Sequence, residues 1–354
     1  MAALGLVVAA CGGTAGADGW GSAVGRDGLI ILPDDNGELS GITPDGEVRW
    51  VFPDDAVEVE LDENVDLDAI YGTPALTEGR IYIGGFDDYL YALDQQGDDD
   101  PSLAWRHQTE GSVVGGAAVS EDGEMIVFGS SDHGVYAVNA DGERLWRFRT
   151  GERVWSTPAL DGERIYVGSM DGHVYALDSE GQQAWSFDTS AAIAASPVVD
   201  GDTVYIGSFS SKLYALDAAT GDERWSFDTD NWIWTDAVVA DDRVFVTSLD
   251  GHTYALDAET GDQIWEVDTG KAIRSRPVIA GDLLVVANRD GDILGIDAAS
   301  GEVAWRQEAS VGDDVLSDLS LIDEAIYVRN EDGDLYEVDP DDGAVRPVTR
   351  QDVG

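Results

Sequence analysis

The sequence predicts an all-β chain, specifically an eight-bladed β-propeller of four-stranded antiparallel blades. Three observations carry this reading. A hairpin signature, seen best as Tyr254-Ala-Leu-Asp257…Gly261…Trp265, recurs eight times along the 354 residues. From Trp146 to Trp305 the tryptophans of that signature fall 39 or 40 residues apart, and a fixed period near 40 marks a repeat architecture. Between the hairpins lie short β-branched segments bounded by Asp, Gly and Pro, which leave no room for a helix.

Within one unit the elements follow from simple patterns. Tyr254 and Leu256 alternate with Ala255 and Asp257, the period of a half-buried strand. Glu259-Thr260-Gly261-Asp262 is a polar turn in which Gly261 is free to take a positive φ, and Trp265 opens the next strand. The full signature returns at Tyr214…Trp225, Tyr175…Trp185 and Tyr136…Trp146. Weaker copies begin at Gly41, Tyr91, Gly295 and Tyr336, the last with Pro347 where tryptophan is expected. Each unit opens with small or Ser/Thr-Pro residues, as in Ser156-Thr-Pro158 and Ser196-Pro197. A second strand such as Val204-Tyr-Ile-Gly207 follows, and an Asp-Gly turn such as Asp250-Gly251 leads into the third. Strands joined by such short turns pair antiparallel, and four of them repeated at a near-constant period make a propeller blade.

In chain order, residues 1–19 read as a signal remnant and flexible tether, and residues 20–352 as the propeller. The first repeat predicts strands at 20–24, 29–32, 38–43 and 48–52; residues 53–70 are an acidic insertion expected to form a solvated loop. A second loop insertion is expected at Gly97-Asp-Asp-Asp-Pro101.

The net charge is −51, from 71 acidic and 20 basic residues. Such a surface repels nucleic acid and anionic membrane, so neither is expected as a partner. Only Lys212 and Lys271 are lysine, and the aspartate-rich, lysine-poor balance resembles proteins of salt-accumulating halophiles; a multi-site calcium protein is the competing reading. The single cysteine, Cys11, excludes an intramolecular disulfide and a Cys-based metal cluster. Its setting, Leu6-Val-Val-Ala-Ala-Cys11, resembles the lipobox of a lipoprotein signal, although no Lys or Arg precedes the short apolar run. Acylation of Cys11 would place a monomeric protein outside the cytoplasmic membrane, attached only by its lipid.

Ala215-x-Asp217-x-x-Thr220-Gly221-x-x-x-Trp225 and the matching stretch from Ala255 to Trp265 resemble the tryptophan-docking motif of the pyrroloquinoline-quinone (PQQ) repeat. The resemblance covers residues 20 to 350 and implies that Trp146, Trp185, Trp225, Trp265 and Trp305 are structural, each wedged over the glycine turn of a neighbouring blade. This repeat builds the quinoprotein alcohol dehydrogenases and also the BamB-type lipoproteins of outer-membrane barrel assembly. The dehydrogenases use a vicinal disulfide, a calcium site and an aspartate base. This chain cannot supply the disulfide, and no Glu/Asn/Asp set stands out, so no cofactor, metal or catalytic residue is expected. His107, His133, His173 and His252 lie in different blades and read as solvent-facing turn residues. Three functions from different classes follow: a non-enzymatic extracytoplasmic scaffold, a quinoprotein-like oxidoreductase with an atypical site, and a polysaccharide-binding propeller.

The candidate site is one mouth of the central channel. Residues just before the first strand of each blade converge there, and most are small, as Gly72, Gly115 and Ala194 are. Three blades differ, offering Arg153 and Trp155, Trp232 and Trp234, and Lys271, Arg274 and Arg276. These side chains predict a protein partner or a small anionic or planar ligand held by cations and stacking on indole.

Overall fold

The computed structural model describes residues 20–350 except 27, 35–36, 54–66, 98 and 313. Cys11 with the rest of 1–19, and most of the acidic insertion, lie outside the described residues. Every regular element described is a strand. Thirty-two of them form eight four-stranded sheets, each built from four consecutive antiparallel strands, which is the eight-bladed propeller.

Blade one consists of β1 (Val24–Arg26), β2 (Leu29–Pro33), β3 (Leu39–Ile42) and β4 (Val48–Phe52). Its first strand starts four residues later than the sequence suggests. Residues 20–23 instead form a connection along the channel mouth, where the Gly21 amide bonds the Ile70 carbonyl at 3.0 Å. In each blade the second and third strands are the most buried; β18 (Thr203–Ser208) is buried at every position. The outer strand is the more exposed: in β20 (Glu223–Asp228), Trp225 is buried while Glu223 and Arg224 are exposed. Cores therefore lie between blades. One joins Tyr205, Leu213 and Trp225 of blade five to Val244, Val246 and Leu256 of blade six.

The recurrent turns have a common chemistry. Asp217 Oδ1 accepts the amides of Ala219 and Thr220 at 3.1 and 3.0 Å, while Gly221 takes φ 76° and donates to the Asp217 carbonyl at 2.8 Å. Arg224, before those amides, holds the Asp217 carboxyl down to about 2. At the Asp-Gly turn, Asp250 accepts from the His252 amide at 2.8 Å and from the Tyr254 hydroxyl at 2.9 Å. The motif residues are thus hydrogen-bonding devices that close two different hairpins of the blade.

At six successive junctions an indole N–H donates to a carbonyl in the turn of the next blade. Trp105 reaches Ala140 O at 2.8 Å, Trp146 Ser179 O at 2.9 Å, Trp185 Ala218 O at 3.0 Å and Trp225 Ala258 O at 3.0 Å. Trp265 and Trp305 reach Ala298 O at 3.1 Å and Pro340 O at 2.9 Å. Each ring also covers the turn glycine; a Cβ built on Gly261 would sit 2.6 Å from Trp225 Cδ2. Trp185, Trp225 and Trp265 are buried, whereas Trp146 and Trp305 are half-buried.

Two junctions depart. Between blades one and two, Arg26 donates to Thr77 O at 2.7 Å, Arg80 O at 3.1 Å and Gln95 O at 3.1 Å. Gln95 O is the carbonyl that corresponds to the docking acceptor, and the buried Trp50 indole nitrogen has no hydrogen-bond partner among the described residues. Between blades eight and one, where Pro347 replaces tryptophan, closure is apolar. Ile322, Tyr327, Leu335 and Val348 pack on Ala23, Ile30, Ile42 and Val48. Ser320 Oγ adds a bond to Ala23 O at 2.6 Å, and Arg350 one to Ser40 Oγ at 2.7 Å.

Candidate functional site at the channel mouth

Alternating turns along each blade put the second-to-third strand turns and the connections between blades on one face of the ring. The channel opens on that face into a cavity of 540 Å³. Of the seven residues the sequence singles out, Trp155, Trp234, Arg274 and Arg276 line it. The other three do not. Arg153 is exposed outside the cavity, and Lys271 is exposed and paired with Asp290 at 2.7 Å. Trp232 stays off the wall, stacked on Phe209 at 4.6 Å. The cause is the extended backbone: Ile233 and Ile273 point into the blade cores, and the path of the connection turns only some of the neighbouring side chains toward the channel.

Residues the sequence reading missed complete the wall. Trp20 closes on Arg274, whose guanidinium carbon lies 4.5 Å from the Trp20 ring centroid and 4.2 Å from that of Trp234. One cation therefore bridges indoles of blades one and six. The aromatic contacts continue on both sides, through Tyr71 at 4.4 Å and Phe86 at 5.4 Å in one direction and through Phe209 at 5.0 Å in the other. On the opposite wall the Trp155 indole donates to Ser131 Oγ at 3.2 Å. Trp20 was legible as the fourth tryptophan outside the docking motif. Phe209 takes the place that Met170 and Leu249 hold just before the Asp-Gly turns of the neighbouring blades, so only its aromatic ring sets it apart.

Below the aromatic belt, a chain of hydrogen bonds passes from blade to blade. Gly116 N donates to Thr157 Oγ1 at 2.9 Å, Thr157 N to Ser196 Oγ at 3.1 Å and Ser196 N to Asp236 Oδ1 at 2.5 Å. Arg276 N donates to Asp318 Oδ1 at 2.8 Å, and Asp318 N to Ser22 Oγ at 2.9 Å. Arg276 interrupts this pattern because a guanidinium cannot accept a hydrogen bond. It sits in sequence position between the two carboxylates of the ring, Asp236 and Asp318. Burial in the channel wall pushes Asp236 up to about 6, with the like charge of Asp318 adding and Arg276 opposing. Burial also raises Asp318. The site thus combines stacking surfaces, two arginines and two carboxylates whose charges balance locally, on a chain that is elsewhere strongly acidic.

The histidines do not enter it. All four are half-buried rather than solvent-facing, and His107 packs 6.0 Å from Phe128 and 5.9 Å from Tyr136. Among the described residues no group of three or more His, Cys, Asp or Glu side chains could hold a metal ion.

Comparison with known proteins fits this architecture. No curated protein matches the sequence. BamB from Moraxella catarrhalis superposes with TM-score 0.73 and 21% identity, over 90% of this chain and 93% of that one. A computationally designed protein, Ika8, gives TM-score 0.75 at 15% identity over 91% and 97% of the two chains. Sqt1 from Saccharomyces cerevisiae gives 0.68 at 15% identity over 80% and 85%. At these identities the likenesses concern the fold alone. The family described as outer membrane protein assembly factor BamB, however, matches residues 87–231 and 228–352, well over half of the sequence. This chain, a PQQ-repeat propeller in both sequence and structure, belongs to that family.

Proposed function

We propose that the protein is a non-enzymatic, extracytoplasmic scaffold, tethered through a lipid on Cys11, that holds a protein partner or a planar ligand at the channel mouth. The observation that carries the reading is the belt of Trp20, Tyr71, Trp234 and Phe209 knitted by Arg274. Blade packing has its own devices, the docking tryptophans and the interblade cores, to which this belt does not belong. Large aromatics and arginine are the residue types that dominate binding energy at recognition sites. Asp236, Asp318 and Arg276 beneath them supply polar selection for whatever group enters. The family description, an outer-membrane assembly factor, supports a protein partner and a location outside the cytoplasm.

The double substitution Trp234→Ala with Arg274→Ala tests the site. With folding verified by far-UV circular dichroism, the variant should lose the partner that cross-links to the wild-type protein in native membranes. An unchanged set of cross-linked partners would make the belt structural. The anchor is tested separately: Cys11→Ser should shift the protein from the membrane to the soluble fraction, and unchanged retention would remove the lipoprotein reading.

A further inference from the structure

Basic residues are scarce in this chain, yet Arg144, Arg147, Arg149 and Arg153 fall within ten residues of one another. Three of them belong to β12 (Arg144–Arg149), the outer strand of blade three, at the free edge of its sheet. The same positions in the next three blades are neutral or acidic. Two residues before the docking tryptophan stand Gln183, Glu223 and Gln263 in place of Arg144; three residues after it stand Asp188, Asp228 and Asp268 in place of Arg149. Blade three alone among these four is basic at both positions, and at Arg149 it inverts the sign found in all three others.

The inversion does not serve the blade itself. Trp146 docks on blade four as its counterparts do in blades whose outer strands are acidic. Arg147 is used internally: it pairs with Asp132 at 3.2 Å and Glu110 at 3.4 Å, over the Tyr136 ring. Arg144, Arg149 and Arg153 are exposed and form no ion pair with a described residue. The nearest acids along the chain are Glu143, which accepts from Asn139 at 3.3 Å, and Glu152, which lies 3.7 Å from His133. Between the arginines, Leu145 is 52% exposed, the most exposed large apolar side chain among the described residues. An edge strand also offers its outward backbone N–H and C=O groups to another strand.

We infer that β12 is a docking edge for an extended acidic segment of a partner protein. The segment adds as a fifth strand to blade three, places carboxylates on Arg144 and Arg149, and covers Leu145 with an apolar side chain. Charge complementarity commits the edge to this occupant, and the acidic outer strands of blades four to six repel the same segment, which fixes the register around the ring. The long-range repulsion of a −51 chain does not prevent this. At physiological ionic strength charges beyond about 8 Å are largely screened, so the local arginines decide. This surface is separate from the channel mouth.

The test uses a fluorescein-labelled peptide of alternating aspartate and valine, titrated with the full-length protein by fluorescence anisotropy, in the lowest salt that preserves the native far-UV spectrum. The wild type should bind saturably, and added salt should weaken binding. Arg144→Glu with Arg149→Glu should weaken it by at least about tenfold, a loss of ~1.4 kcal/mol. Trp234→Ala with Arg274→Ala should bind the peptide as the wild type does, so failure at the mouth and failure at the edge are distinguishable. No saturable binding by the wild type, or equal binding by the charge-reversed variant, overturns the inference. So does binding confined to phosphatidylglycerol vesicles, which would assign the arginines to a lipid surface.

Discussion

A single indole performs two tasks at most blade junctions. It covers the glycine of the neighbouring turn, and its N–H satisfies a carbonyl that the turn leaves open. Replacing Trp225 with alanine removes both, leaves a cavity between blades five and six, and should destabilise by ~3–5 kcal/mol. A denaturant titration measures this, and a loss under ~1 kcal/mol would contradict the docking role. A second residue-scale prediction concerns Asp236. Its folded pKa, about 6, lies above the ordinary aspartate value, so the folded state retains a proton that the unfolded state releases. Stability from this group is therefore present at low pH and is lost as pH rises toward 6. Asp236→Asn keeps an oxygen for the Ser196 amide and removes the charge. The variant should melt higher than wild type at pH 7, with the difference vanishing near pH 4. A variant less stable than wild type at both pH values would mean that the carboxylate charge is needed, not tolerated.

At the scale of elements, the outer hairpin was the most legible part of the sequence. Its residues act locally: Asp217, Thr220 and Gly221 fix their own turn, so spacing alone reveals it. The first strands were less legible. They are two or three residues long, and in blade one the start was displaced because Trp20 and Gly21 serve the mouth instead of the sheet. The mouth was half legible, since the residues that complete it come from distant blades. Trp20 meets Arg274 across the closure of the ring, and nothing within one repeat announces that contact. Asp236 and Asp318 look like ordinary acids in an acidic chain until the ring of hydrogen bonds places them at equivalent positions. The junction between blades one and two gives this scale its own prediction. Arg26 there bonds three carbonyls, and Arg26→Ala should cost about 1–3 kcal/mol through the acceptors left unpaired. Chemical denaturation followed by hydrogen exchange should show the loss concentrated in the second blade. Uniform protection would contradict a local role.

For the molecule as a whole, closure without a shared strand makes the contact between blades eight and one depend on side chains, chiefly the apolar cluster around Ile322 and Tyr327. The charge of −51 acts against compactness everywhere, so the melting temperature should rise with salt well beyond physiological levels. A melting temperature indifferent to molar salt would remove the halophile reading. Against that acidic background the mouth departs in both charge and aromatic content, and recognition there is the central claim. A photo-crosslinking residue placed at Trp155, on the wall of the cavity, and in a second protein at Glu259, on a turn of the opposite face, tests it most directly. Irradiation of native membranes should give a discrete adduct from position 155 and none from position 259. Equal adducts from both positions, or none from 155, would contradict the account.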